Sequence, residues 1–186
     1  MKRLFSLTAA ILLSISQIVS AQEPPTVPGE VQLTLKYHDG KPDGKKSIAG
    51  TGEMIQFTLP SDSQQLKGIR LHAARYGNPQ APKEDVEVSL VSEDETNVLH
   101  TEQIPYSKFK RGESKWTTIV FKEPVKVDKT FWVILEFNAE ATKGVYVSFD
   151  SSTEGNYSKV GVPGGQSKAV TTGGDWMVEA LLTKPE

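Results

Sequence analysis

The stretch Lys115–Asp150, KWTTIVFKEPVKVDKTFWVILEFNAEATKGVYVSFD, sets the tightest limit on what this chain can fold into. It reads as three strands separated by two turns, and it holds two of the three tryptophans and four of the seven phenylalanines. Within Phe131–Phe137 the odd positions Phe131, Val133, Leu135 and Phe137 form one apolar face. The even positions carry Trp132, Ile134 and Glu136, so the second face is mostly apolar as well. A strand that is apolar on both sides needs cover on both, which puts it in the middle of a sheet, packed on one face and roofed on the other. It is the expected keel of an all-β domain.

The remaining chain supplies partners of the same kind. Val31–Tyr37 alternates, with Val31, Leu33, Leu35 and Tyr37 on one face. Met54–Leu59, Leu66–Ala73, Val86–Val91, Asn97–Ile104 and Asp175–Thr183 read as further strands, bounded by Gly, Pro and Asp turn signals. Tyr106–Ser114 has room for a single helical turn. Ser151–Gly174 is a long polar stretch rich in Gly and Ser, and ordered loops of that length usually have a job. About nine short strands and no sustained helical period predict an antiparallel, jelly-roll-like β-sandwich.

The N-terminus fixes the address. Lys2 and Arg3 precede an apolar run from Leu4 to Val19, and Val19-Ser20-Ala21 offers small residues for cleavage. The run is broken by Ser6, Thr8, Ser14, Ser16 and Gln17, so residues 1–21 read as a signal peptide rather than a spanning helix. Residues 22–30 are a Pro-rich lead-in, and residues 31–186 form the domain. A secreted or periplasmic protein is expected, with no membrane contact after cleavage. Loss of Lys2 and Arg3 takes the formal net charge from −2 to −4, without a basic patch, which argues against nucleic acid as a partner. The absence of cysteine from an exported chain points to a bacterial source and leaves the core to supply the stability.

Catalysis finds little material. The three histidines His38, His72 and His100 stand in separate segments without metal-ligand spacing, and there is no GxSxG turn. Thiol chemistry is closed to a chain without cysteine. His72 occupies an even position beside Arg70, opposite the apolar Ile69, Leu71 and Ala73, and reads as a solvent-side or loop-covered side chain. Asp39 and Asp43 in one loop, and Asp150, Ser152, Glu154 and Asn156 in another, offer the oxygens a structural calcium wants. Both loops read more simply as turns, and no cofactor is expected. The set that points to binding is Arg75, Tyr76, Tyr146 and Asp150. Strand parity turns Tyr146 away from Val145, Val147 and Phe149, while Arg75-Tyr76 and Asp150 end their strands. Flat rings stack on sugar faces and Arg or Asp forks onto hydroxyls, so these four are the candidate ligand-binding residues, against the plainer alternative that such side chains pin loops onto the sheet.

The segments GTGEMIQFTLP, LHAARYGNP, IPYSKFKRGESKW, FWVILEFNAEATKGVYVSFD and GGDWMVE resemble a family of uncharacterised secreted bacterial β-sandwich domains. More loosely, the Trp-started strand, the Phe-Trp-Val strand and the Gly-Val-Tyr-Val strand are similar to galactose-binding-like jelly rolls. That resemblance implies glycan or peptide binding, often beside a structural calcium. The expectation is a non-catalytic binding or adhesion module of the bacterial envelope, with a glycan or an envelope protein as partner. A structural, protein-interaction domain is the alternative, and a hydrolase the third class.

Overall fold

The computed structural model describes residues 31–61 and 64–183; the expected signal peptide and Pro-rich lead-in lie outside the described residues. In chain order the strands are β1 (Leu33–Leu35), β2 (Gly44–Lys46), β3 (Gly52–Thr58), β4 (Gln65–Gly77), β5 (Asp85–Ser92) and β6 (Val98–Pro105). After a single 3-10 turn at Tyr106–Lys108 come β7 (Lys115–Val125), β8 (Thr130–Glu136) and β9 (Lys143–Asp150). A second 3-10 turn at Ser151–Thr153 leads to β10 (Ser158–Gly161), β11 (Lys168–Ala169), β12 (Asp175–Trp176) and β13 (Val178–Thr183). One sheet runs β1-β13-β4-β9-β12, with β7 also on β4 and β2 also on β9; the other runs β11-β10-β3-β8-β5-β6. The two antiparallel sheets pack face to face as a β-sandwich.

The two-faced strand β8 lies at the middle of the second sheet, between β3 and β5. Phe131, Val133 and Leu135 point into the core between the sheets, against Ile69, Leu71, Val145 and Val147 of the first. Trp132 and Ile134 point outward and form a separate cluster with Met54 and Val91. Trp132 is roofed: its Nε1 donates to the Glu93 carbonyl at 3.1 Å, and the Lys159 ammonium lies 4.7 Å over its ring. Each large side chain buried this way is worth about 1.5–3 kcal/mol, which explains why both faces of one strand stay apolar.

The thirteen strands among the described residues exceed the nine expected. β2, β10 and β11 are too short to show an alternating pattern, and they exist because longer strands offer them free edges. The last expected strand is broken at Met177, whose N–H donates to Ser148 at 2.8 Å while its carbonyl accepts from His72 N–H at 3.0 Å. Met177 therefore sits in a fork. β4 and β9 pair directly through Ala73–Gly77, then part, and the β12–β13 segment enters between them. β1 is shorter than its pattern predicts, with Leu33 and Val31 exposed, because it is an edge strand holding only β13.

Candidate functional site

The fork makes the outer face of the first sheet broad, because β7, β4, β9 and β13 all contribute to it. Strand alternation puts Arg70, His72 and Tyr76 of β4 on that face, with Trp116 of β7, Tyr146, Ser148 and Asp150 of β9, and Glu179 of β13. His72 Nδ1 and Ser148 Oγ are 2.9 Å apart, and the His72 ring lies 5.3 Å from Trp116. Together His72 and Ser148 floor an open groove of about 440 Å³. Asp43, Gly44 and Lys45 form one bank, and Glu113 and Ser114 the other. Burial, reinforced by the nearby Lys45 ammonium, pushes the His72 pKa below its ordinary value, against the pull of the Ser114 main chain. The floor therefore presents a neutral imidazole and a hydroxyl, both suited to hydrogen bonding.

Next to His72, Trp116 is held from several directions. The Arg70 guanidinium stacks 4.6 Å from its ring and grips Glu179 with two bonds of 2.7 and 3.0 Å. His38, folded in from the loop after β1, packs 5.1 Å from the same ring. Its Nε2 is 3.3 Å from Glu179, close enough for electrostatic contact, yet neither ring nitrogen makes an aligned hydrogen bond. Burial lowers the His38 pKa despite the carboxylate.

The four residues singled out from sequence are divided between two ends of the sheet. Tyr76 and Tyr146 come together, with ring centroids 4.6 Å apart and tilted by 34°. The Tyr76 hydroxyl donates to the Glu140 carbonyl at 2.9 Å, and its ring lies directly over Gly144, where a Cβ would collide with it. Lys45, which lines the groove, extends over Tyr146 at 5.2 Å and so links this ring pair to it. Arg75 points to the opposite face, is 6% exposed, and donates to the carbonyls of Asn78 at 2.5 Å and Pro79 at 2.8 Å. Asp150 lies at the far end of β9, buried, and accepts from the N–H groups of Asp39 at 2.6 Å and Ser152 at 2.7 Å. Arg75 and Asp150 thus hold loops.

Two of the loop carboxylates weighed for calcium also take part in loop hydrogen bonds. Asp43 accepts from Ser151 N–H and Oγ, and Asp39 accepts from Lys41 N–H. Among the described residues no group of three or more His, Asp or Glu side chains converges as a metal site. The sequence reading missed Trp116, Ser148 and Lys45. The alternation of β7 and β9 would have put the first two on the outer face, but only the cross-strand registers show that they meet His72.

No family model matches the sequence, and no curated protein matches it. Among solved structures, the chain is similar to the clostridial cysteine protease Cwp84 after propeptide cleavage, with a TM-score of 0.55 and 8% identity, over 82% of this chain and 40% of that one. It is also similar to the cysteine protease and lectin-like domains of Cwp84, a surface layer associated protein of Clostridium difficile. There the TM-score is 0.50 with 9% identity, over 75% of this chain and 33% of that one. The chain spans well under half of either neighbour, and at these identities the likeness concerns the fold. Among the described residues no helix is long and apolar enough to cross a membrane.

Proposed function

We propose that the domain is a non-catalytic carbohydrate-binding module of an exported bacterial protein, and that its ligand lies across the outer face of the first sheet. The observation that carries this reading is the groove itself: a neutral hydrogen-bonding floor of His72 and Ser148, banked by Lys45, whose ammonium reaches over Tyr146 of the Tyr76–Tyr146 pair. Apolar ring faces beside a few fixed polar groups are what sugar recognition requires. The likeness to a structure with a lectin-like domain supports the same class, and a chain without cysteine has no share in cysteine-protease chemistry. In this reading Tyr76 and Tyr146 contact the ligand, and Arg75 and Asp150 keep the surrounding loops in place.

The test pairs binding with stability. Parent, Tyr146→Ala and Lys45→Ala are compared for retention on immobilised polysaccharides and for melting temperature. Removing the Tyr146 ring is expected to cost about 1–3 kcal/mol of affinity, by analogy with aromatic stacking on bases. The melting temperature should change little, since Tyr146 is only half-buried on an outer face. A parent that is retained on no polysaccharide, or a Tyr146→Ala variant retained like the parent, would remove the groove reading.

A further inference from the structure

A second aromatic platform stands at the Asp150 end of β9, away from the Tyr76–Tyr146 end. Tyr157 lies parallel to Tyr37, with ring centroids 3.7 Å apart and planes within 3°. Tyr37 in turn stacks on Phe57 at 5.4 Å and 15°, and Phe57 is a fully buried core residue. The three rings form a column from the core to the surface. Tyr37 covers one face of Tyr157, and Tyr157, at 36% exposure, is the most open ring of the three.

The backbone beneath this ring is clamped as well. Tyr157 N–H donates to Asp175 Oδ1 at 2.8 Å, and Asp175 is completely buried. The Tyr157 carbonyl accepts from Gln56 N–H at 2.9 Å. A large ring held rigid from below and left open above loses little further freedom on binding, and this preorganisation raises affinity without added contacts. Asp175 accepts from both Tyr157 N–H and Thr153 Oγ1, which ties this carboxylate to the base of the platform.

We infer that Tyr157 is a second carbohydrate-binding site, taking a neutral pyranose with an uncluttered C–H face, such as a β-linked glucose or N-acetylglucosamine unit. The inference rests on the carbohydrate reading above but uses none of the groove residues. Two platforms, one at Tyr146 within β9 and one at Tyr157 just before β10, would let a single long glycan be held at two points, with the gain in avidity that linked sites give.

The experiment is an NMR titration of the 13C,15N-labelled domain with cello- and chito-oligosaccharides. The Tyr157 ring and the Asn156–Tyr157 amides should shift in a saturable way. These shifts should persist in Tyr146→Ala and in Tyr157→Phe, and the local affinity should fall about tenfold or more in Tyr157→Ala. Should Tyr157→Ala unfold, the ring shifts in the parent and in Tyr157→Phe still decide. Shifts confined to the His72 and Tyr146 resonances would overturn this site and leave the groove standing. Shifts at Tyr157 without any at the groove would uphold it and remove the groove. Silence at Tyr157 across both oligosaccharide series would overturn it.

Discussion

Two carboxylates show how differently one residue type behaves when its surroundings change. Glu53 is buried; its Oε1 accepts from Ile48 N–H at 3.1 Å, while its Oε2 has no partner. Burial pushes its pKa up to about 8, partly offset by the main-chain bonds. The folded state therefore prefers the neutral acid. Its contribution to stability is complete below the ordinary carboxylate pKa and is lost as pH rises toward 8. The melting temperature should decline between pH 5 and 9, and Glu53→Gln should flatten that decline; an unchanged pH profile in the variant would show another group responsible. At Asp150 burial also opposes the charge, but the N–H bonds from Ser152 and Asp39 outweigh it and hold the pKa low. Here the contribution is present at neutral pH and lost as pH falls. Asp150→Ala strands two N–H groups and should cost about 1–3 kcal/mol, read by denaturant unfolding. Neither behaviour was legible in the sequence. Glu53 precedes the Met54–Leu59 pattern and draws no reading there, and Asp150 reads as a loop oxygen and a candidate ligand group, because burial and hydrogen-bond partners are set by distant segments.

At the scale of the element, β8 was the most legible part of the chain. A run with Phe131, Val133 and Leu135 on one face and Trp132 and Ile134 on the other permits little besides a central, covered strand, and both clusters confirm it. Leu135 is 1% exposed, so Leu135→Ala should cost about 2–5 kcal/mol through the cavity it leaves. Thr117 of β7, partly exposed beside Leu71, should cost far less as Thr117→Ala. Equal losses in equilibrium unfolding would mean that the core is not centred on β8. The short strands were not legible for a physical reason. A two- or four-residue strand such as β11 or β10 carries no period of its own and takes its place from the edge it joins. The same holds for the edge strand β1, where alternation promised burial that a one-sided partner does not deliver.

For the whole molecule, the fold class followed from pattern, but the candidate site depended on topology. His72 and Ser148 are 76 positions apart and meet only because β4 and β9 pair and then fork around Met177. Of the sequence-derived set, Tyr76 and Tyr146 are brought together, whereas Arg75 and Asp150 are drawn off to hold loops. Parity could place each residue on a face, yet register alone decides which residues share it. The central claim is that ligand binds on the outer face of the first sheet, and Trp116 reports on that face. It is partly exposed and adjoins His72, whereas Trp132 and Trp176 are buried at 4% and 1% exposure. The most direct measurement is tryptophan emission of the intact domain during titration with a polysaccharide that retains it. The expected result is a saturable change in emission that disappears in Trp116→Phe while that variant stays folded. Saturable binding with Trp116 emission unmoved would place the ligand elsewhere and contradict the account.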